Sequence, residues 1–187
     1  MKKLAVFFPG IGYTADKPLL YYSRKLAAEK GYEVLALSYS GFPKNAKGDA
    51  KKLRRCFALA REQAEEQLKA LRPGDYDEIV FVAKSIGTAA AAVLAAESPA
   101  SGRIRLVLYT PVEETFRFPL GQAVVFTGGA DPWVGGGDNP IPALCAARGI
   151  PCTLIPGANH SLETGSAAED LRNLMKVMEQ TAAFLDA

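Results

Sequence analysis

Six short apolar runs recur along this chain: Leu4 to Phe8, Glu33 to Ser38, Glu78 to Ala83, Arg105 to Tyr109, Ala123 to Thr127 and Pro151 to Ile155. They are rich in β-branched and aromatic residues and do not alternate cleanly with polar ones. Such runs read as strands covered on both faces, the pattern of a parallel sheet. Between them lie helical spacings. Leu53, Phe57, Ala60, Ala64, Leu68 and Leu71 recur every three to four residues, and Leu171, Leu174, Met175, Met178, Ala182 and Leu185 do so near the C-terminal end. Strand and helix therefore alternate, with one interruption. Thr110 to Gln122, which carries Pro111 and Pro119, shows no helical pattern.

The third run leads into the most informative local pattern. Ile79-Val80-Phe81-Val82-Ala83 is followed by Lys84-Ser85-Ile86-Gly87 and then by the alanine-rich stretch Thr88 to Ala96. A serine on a tight turn between a strand and a helix is raised above the sheet edge, as a nucleophile requires. Small residues at both ends of the five-residue turn let strand and helix approach. Here those residues are Ala83 and Gly87.

The chain contains one histidine, His160, in the loop after the last strand run. Asp131 lies between the serine and the histidine in sequence, in Gly128-Gly129-Ala130-Asp131-Pro132-Trp133-Val134, directly after the fifth run. Serine, acid and histidine thus follow three successive strand ends in the order Ser, Asp, His. The shared order and placement carry more weight than any one motif.

On these residues the chain resembles the α/β-hydrolase fold, and in particular the compact esterase-like and dienelactone-hydrolase-like proteins of bacteria. Ser85 matches the nucleophile, Asp131 the acid of a Gly-x-x-Asp-x-x-Val stretch and His160 the histidine of a Gly-x-x-His stretch. The resemblance covers nearly the whole chain and departs in three respects. Ala83 replaces the first glycine of the elbow, Pro9 stands where many members carry histidine, and no segment is long enough for a lid domain. It implies a single α/β-hydrolase domain over residues 1–187: a three-layer α/β/α sandwich with a six-stranded parallel sheet in the order 2-1-3-4-5-6.

The implied chemistry is hydrolysis of a carboxylic ester or thioester of a small molecule. His160 would take the Ser85 proton, and Asp131 would fix the imidazole tautomer. Two backbone N–H groups would hold the oxyanion, that of Ile86 after the nucleophile and that of Ile11 in the loop after the first strand, with Gly12 as the neighbouring choice. Gly12, Tyr13, Lys84, Trp133 and Leu162 are candidates for lining the substrate site. Glu113 and Glu114 follow the fourth run, where some relatives carry the acid, but read as solvated loop residues. Asp138 reads as a helix cap. The basic run from Lys44 to Arg55 reads as a solvated helix face.

Composition fits one globular domain. A chain of 187 residues buries about 70% of its unfolded surface. A net charge of +2 indicates neither a nucleic-acid binder nor a membrane-surface protein. Three widely spaced cysteines, Cys56, Cys145 and Cys152, point to reduced thiols and a cytoplasmic setting. The apolar start Leu4 to Phe8 is too short for an export signal. No cofactor or metal is implied.

Two other readings compete. Gly10-Ile11-Gly12-Tyr13-Thr14-Ala15 fits a dinucleotide fingerprint, but the acid expected at the end of the second strand is missing, and Leu37-Ser38-Tyr39-Ser40 stands there. That reading also leaves Ser85, Asp131 and His160 unexplained. The other is a hydrolase-fold protein that binds a ligand without turnover.

Overall fold

The computed structural model describes residues 1–187. Its strands are β1 (Lys3–Phe8), β2 (Tyr32–Ala36), β3 (Glu78–Lys84), β4 (Ile104–Tyr109), β5 (Gln122–Gly128) and β6 (Cys152–Ile155). All neighbours pair in parallel, in the order β2-β1-β3-β4-β5-β6. The helices are α1 (Pro18–Glu29), α2 (Ala50–Leu68), α3 (Ile86–Glu97), α4 (Ile141–Ala146) and α5 (Ala167–Asp186).

Two apolar layers cover the sheet. Successive side chains of a strand point to opposite faces, so Val80 and Val82 pack with α1 and α5, among Leu19, Leu20, Val177 and Leu185. Ile79, Phe81 and Ala83 pack on the other face, with Cys56, Ala60 and Ala64 of α2 and the alanines of α3. α3 is buried nearly all round, and its small side chains let it sit close against the sheet. Because α1 covers one face and α3 the other, the cover switches sides between β1 and β3. Ligands of open α/β sheets bind at such a switch point, outside the carboxyl ends of the strands.

The opposite edge is tied down by ions. Arg105 donates to the Phe184 carbonyl at 2.7 Å and to the Tyr32 hydroxyl at 2.9 Å. Tyr32 in turn donates to Glu78 at 2.9 Å, and Lys3 lies 3.2 Å from the same carboxylate. These contacts fasten the end of α5 to β2, β3 and β4. No helix is long and apolar enough to cross a membrane.

Three local expectations change. Leu171 and Met175 of α5 are 68% and 60% exposed; the buried face runs instead through Val177, Thr181 and Leu185. Thr181 is buried because its hydroxyl meets that of Tyr109 at 2.6 Å. Asp138 does not cap α4. The side chain of Asn139 takes that part, accepting the Ile141 N–H at 2.9 Å. Leu71 lies beyond the end of α2. Residues 110–121 contain only a short 3-10 turn, Glu113–Arg117.

Candidate active site

Ser85 is the single residue between β3 and α3, and it adopts φ 56° and ψ −126°. A non-glycine residue there is strained by roughly 1–3 kcal/mol and persists only where its surroundings hold it. Its N–H donates to the Tyr109 carbonyl at 3.1 Å, across to β4. Its carbonyl accepts from the Thr88 N–H at 2.9 Å and the Thr88 hydroxyl at 2.6 Å. Gly87 completes the turn. A Cβ there would collide with the Phe8 and Pro9 carbonyl oxygens, so only glycine lets α3 meet the end of β1. Ala83 is fully buried and accommodated without a glycine.

The structure brings Ser85, His160 and Asp131 together. The Ser85 hydroxyl and His160 Nε2 are 2.7 Å apart, and His160 Nδ1 lies 2.7 Å from Asp131 Oδ2. Asp131 is fully buried, and its other oxygen accepts the Trp133 N–H at 2.9 Å. An Nδ1–H donated to that carboxylate leaves Nε2 free to accept from serine. Trp133 stacks on the imidazole, with ring centroids 5.2 Å apart and planes 25° from parallel.

The histidine loop is pinned from several sides. Gly128, at the end of β5, has no room for a Cβ beside the Ala158 and Asn159 carbonyls. Asn159 Oδ1 accepts the Ser161 N–H at 2.7 Å. The Thr110 hydroxyl donates to the His160 carbonyl at 3.0 Å, from a buried residue held at φ 40°. Thr88, Thr110 and Asn159 are ordinary polar residues that the sequence does not single out; the partner of Thr110 lies far along the chain, while those named for Thr88 and Asn159 are local.

Burial lowers the His160 pKa below the usual 6.5; the Asp131 hydrogen bond opposes this, and the Lys84 charge adds to it. Lys84 itself is 1% exposed. Strand alternation turns it to the α1–α5 side with Val80 and Val82, where its Nζ lies 4.9 Å from the Tyr13 ring centroid. Burial brings its pKa down to about 7, against the attraction of Asp131 and Glu163. Lys84 therefore sits behind the Ser85–His160–Asp131 chain, on its core side.

The loop after β1 closes on itself: the Gly10 N–H donates to the Tyr13 carbonyl at 3.0 Å and the Tyr13 N–H to the Gly10 carbonyl at 3.3 Å. The amides of Ile11 and Gly12 at its tip have no backbone partner. Ile86 opens α3, where first-turn N–H groups lack intrahelical acceptors and the helix dipole favours negative charge.

The other candidates divide among three hollows. Gly12 lines a groove of about 430 Å³ beside β2. Tyr13 and Leu162 line an apolar cavity of about 300 Å³ between α1 and α5, and the Tyr13 hydroxyl accepts the Leu19 N–H at 3.1 Å. Trp133 and Ile86 line a shallow depression of about 220 Å³ with Glu113, Glu114 and Arg117. Neither Glu113 nor Glu114 hydrogen-bonds to the His160 ring, whose partners are Asp131 and Ser85. No group of three or more histidine, cysteine or acidic side chains is arranged to hold a metal ion.

No protein-family model and no curated protein matches the chain. Solved structures do. An α/β serine hydrolase homologue from Coxiella burnetii is 16% identical over 97% of this chain and 84% of its own, with a TM-score of 0.67. An esterase from Pyrococcus furiosus is 13% identical over 99% and 82%, at 0.64. A serine hydrolase without a lid from Xanthomonas campestris is 15% identical over 98% and 81%, at 0.61. This chain has the α/β-hydrolase fold.

Proposed function

We propose that the protein is a serine hydrolase that cleaves a carboxylic ester or thioester of a small molecule through an acyl-enzyme. The observation that carries this reading is the hydrogen-bonded chain from Ser85 through His160 to the buried Asp131, set on a strained elbow at the switch point of the sheet. A serine hydroxyl needs a base within hydrogen-bond reach, and His160 is the chain's one imidazole. His160 Nε2 takes the proton as Ser85 Oγ bonds to the substrate carbonyl carbon, whose oxygen becomes the oxyanion. Asp131 stabilises the imidazolium. The amides of Ile86 and of Ile11 or Gly12 hold the oxyanion. As the carbonyl re-forms, the bond to the alcohol or thiol breaks and His160 returns the proton to it. Water, deprotonated by the same nitrogen, then releases the acid and restores the hydroxyl.

No cofactor enters this sequence. The dinucleotide reading loses ground because Gly10 lies against Ser85, within 3.0 Å of its Cβ for a methyl built there.

A fluorophosphonate probe tests the assignment. One adduct is expected, on the peptide carrying Ser85, with loss of labelling and of 4-nitrophenyl ester hydrolysis in Ser85→Ala. Labelling that survives in Ser85→Ala would refute the nucleophile, and a wild-type chain inert to both probe and esters would favour binding without turnover.

A further inference from the structure

We propose that Thr110 is a positioning residue of the candidate site, whose hydroxyl holds His160 within reach of Ser85 through a bond to the histidine main chain. The proposal rests on the serine-hydrolase reading and names a group outside the Ser85–His160–Asp131 chain on which its geometry depends.

Thr110 follows the last residue of β4 and is fully buried. Its φ is 40°. Positive φ is uncommon outside glycine, and for a β-branched residue it is a genuine outlier. Such a conformation persists only where the surroundings fix it, and it gathers at functional sites.

The bonds around Thr110 reach both reacting residues. Its N–H donates to the Phe126 carbonyl of β5 at 2.7 Å, and the carbonyl of the same peptide unit, that of Tyr109, accepts the Ser85 N–H at 3.1 Å. Its hydroxyl donates to the His160 carbonyl at 3.0 Å. That is the one hydrogen bond the protein gives to the His160 main chain, whose N–H has no protein partner. A single peptide unit and the side chain it carries thus hold the main chains of serine and histidine together.

The clamp stands on a fixed base. Tyr109 is fully buried, and its hydroxyl lies 2.8 Å from that of Ser23 in α1 and 2.6 Å from that of Thr181 in α5. The imidazole sits on a loop instead, and its ring contacts of 2.7 Å to Ser85 and to Asp131 both need its main chain in place. A misplacement of about 1 Å can cost a factor of about 10² in rate.

The test compares Thr110→Val, which keeps the shape and loses the hydroxyl, with Thr110→Ser, which keeps the hydroxyl. On a 4-nitrophenyl ester, Thr110→Val is expected to lower kcat by about ten- to a hundredfold with KM little changed. Thr110→Ser is expected to retain most of the wild-type rate. Thr110→Gly also lacks the hydroxyl but suits a positive φ, so it is expected to lose as much as Thr110→Val and decides where that variant does not fold. NMR titration of His160, the chain's one imidazole, gives a readout that needs no turnover. Burial holds its pKa below 6.5, and a slack loop is expected to let it rise towards that value in Thr110→Val and Thr110→Gly but not in Thr110→Ser.

Where esters are hydrolysed, the rates decide. A wild-type rate in Thr110→Val or Thr110→Gly overturns the proposal and leaves the hydrolase reading intact. So does a Thr110→Ser that loses as much as Thr110→Val, which would make the methyl the group that matters. Failure of both hydroxyl-free variants to fold overturns it too, because Thr110 would then serve folding alone. Where the wild type hydrolyses no ester, the titration decides: an imidazole that moves in Thr110→Val and not in Thr110→Ser keeps the clamp while the hydrolase reading fails, and one that stays in place overturns both.

Discussion

At the scale of the residue, the proposed chemistry depends on one imidazole and the charges around it. Asp131→Asn keeps the shape of the carboxyl group but reverses the tautomer it selects. The same change in a serine-protease triad lowers turnover by about 10⁴. A loss of several orders of magnitude is expected here, measured as kcat on a 4-nitrophenyl ester, with less than about tenfold change in Glu113→Gln or Glu114→Gln. The pH profile follows from burial. His160 must be neutral to accept the serine proton, and burial, with Lys84 behind it, lowers its pKa. The acid limb of kcat/KM therefore lies below pH 6.5. Lys84 carries its charge below about pH 7, which covers that limb, and a neighbouring cation disfavours imidazolium. Lys84→Met removes the cation, so the limb is expected to move to higher pH. A limb that stays in place or moves down would show that Lys84 acts only through packing.

At the scale of the element, the meeting of the candidate residues Ser85, His160 and Asp131 is readable because they stand at strand ends. The run Ala123 to Thr127 is β5 to within a residue at each side, and Asp131 follows it at once. Ser85 and His160 were placed by the same logic. The misreadings have a common physical cause. Leu171 and Met175 keep the helical spacing yet face solvent, while Thr181, whose hydroxyl meets that of Tyr109, is buried. Periodicity of apolar residues does not register a buried hydroxyl network. Nor does sequence reveal which partner a threonine will find, so Thr110 and its bond to the His160 carbonyl were invisible. The direction of Lys84 was legible in principle from the alternation of β3, since Val80, Val82 and Lys84 share a face. Gly87 provides the test at this scale. Gly87→Ala drives a methyl into the β1 carbonyls, so the α3–β1 contact must open. A stability loss of about 2 kcal/mol or more is expected in urea unfolding, together with loss of ester hydrolysis.

At the scale of the whole molecule, the two edges of the sheet do different work. The carboxyl edge carries the Ser85–His160–Asp131 chain, while the amino edge carries the cluster of Arg105, Glu78, Tyr32 and Lys3 that holds the end of α5. Arg105→Met is expected to cost about 1–3 kcal/mol and to leave the acid limb of the pH profile where it was. Burial works against the Glu78 charge, but hydrogen bonds from Tyr32 and Lys3 outweigh it and the pKa falls below the ordinary value. That contribution is thus present above the usual carboxylate range and is lost as pH drops through the lowered value. A shifted catalytic limb in Arg105→Met would show that the two edges are coupled.

The four non-glycine residues at positive φ, Asn45, Ser85, Thr110 and Leu162, all lie in segments that leave the carboxyl ends of strands. Their backbone conformations persist only while the surrounding structure holds them, and local opening draws on the least stable parts of a structure first. Heat is therefore expected to silence this protein before it melts it. In a slow temperature ramp, ester hydrolysis assayed at temperature should fall away several degrees below the circular-dichroism transition of the helices, and should return on cooling if the ramp stops between the two.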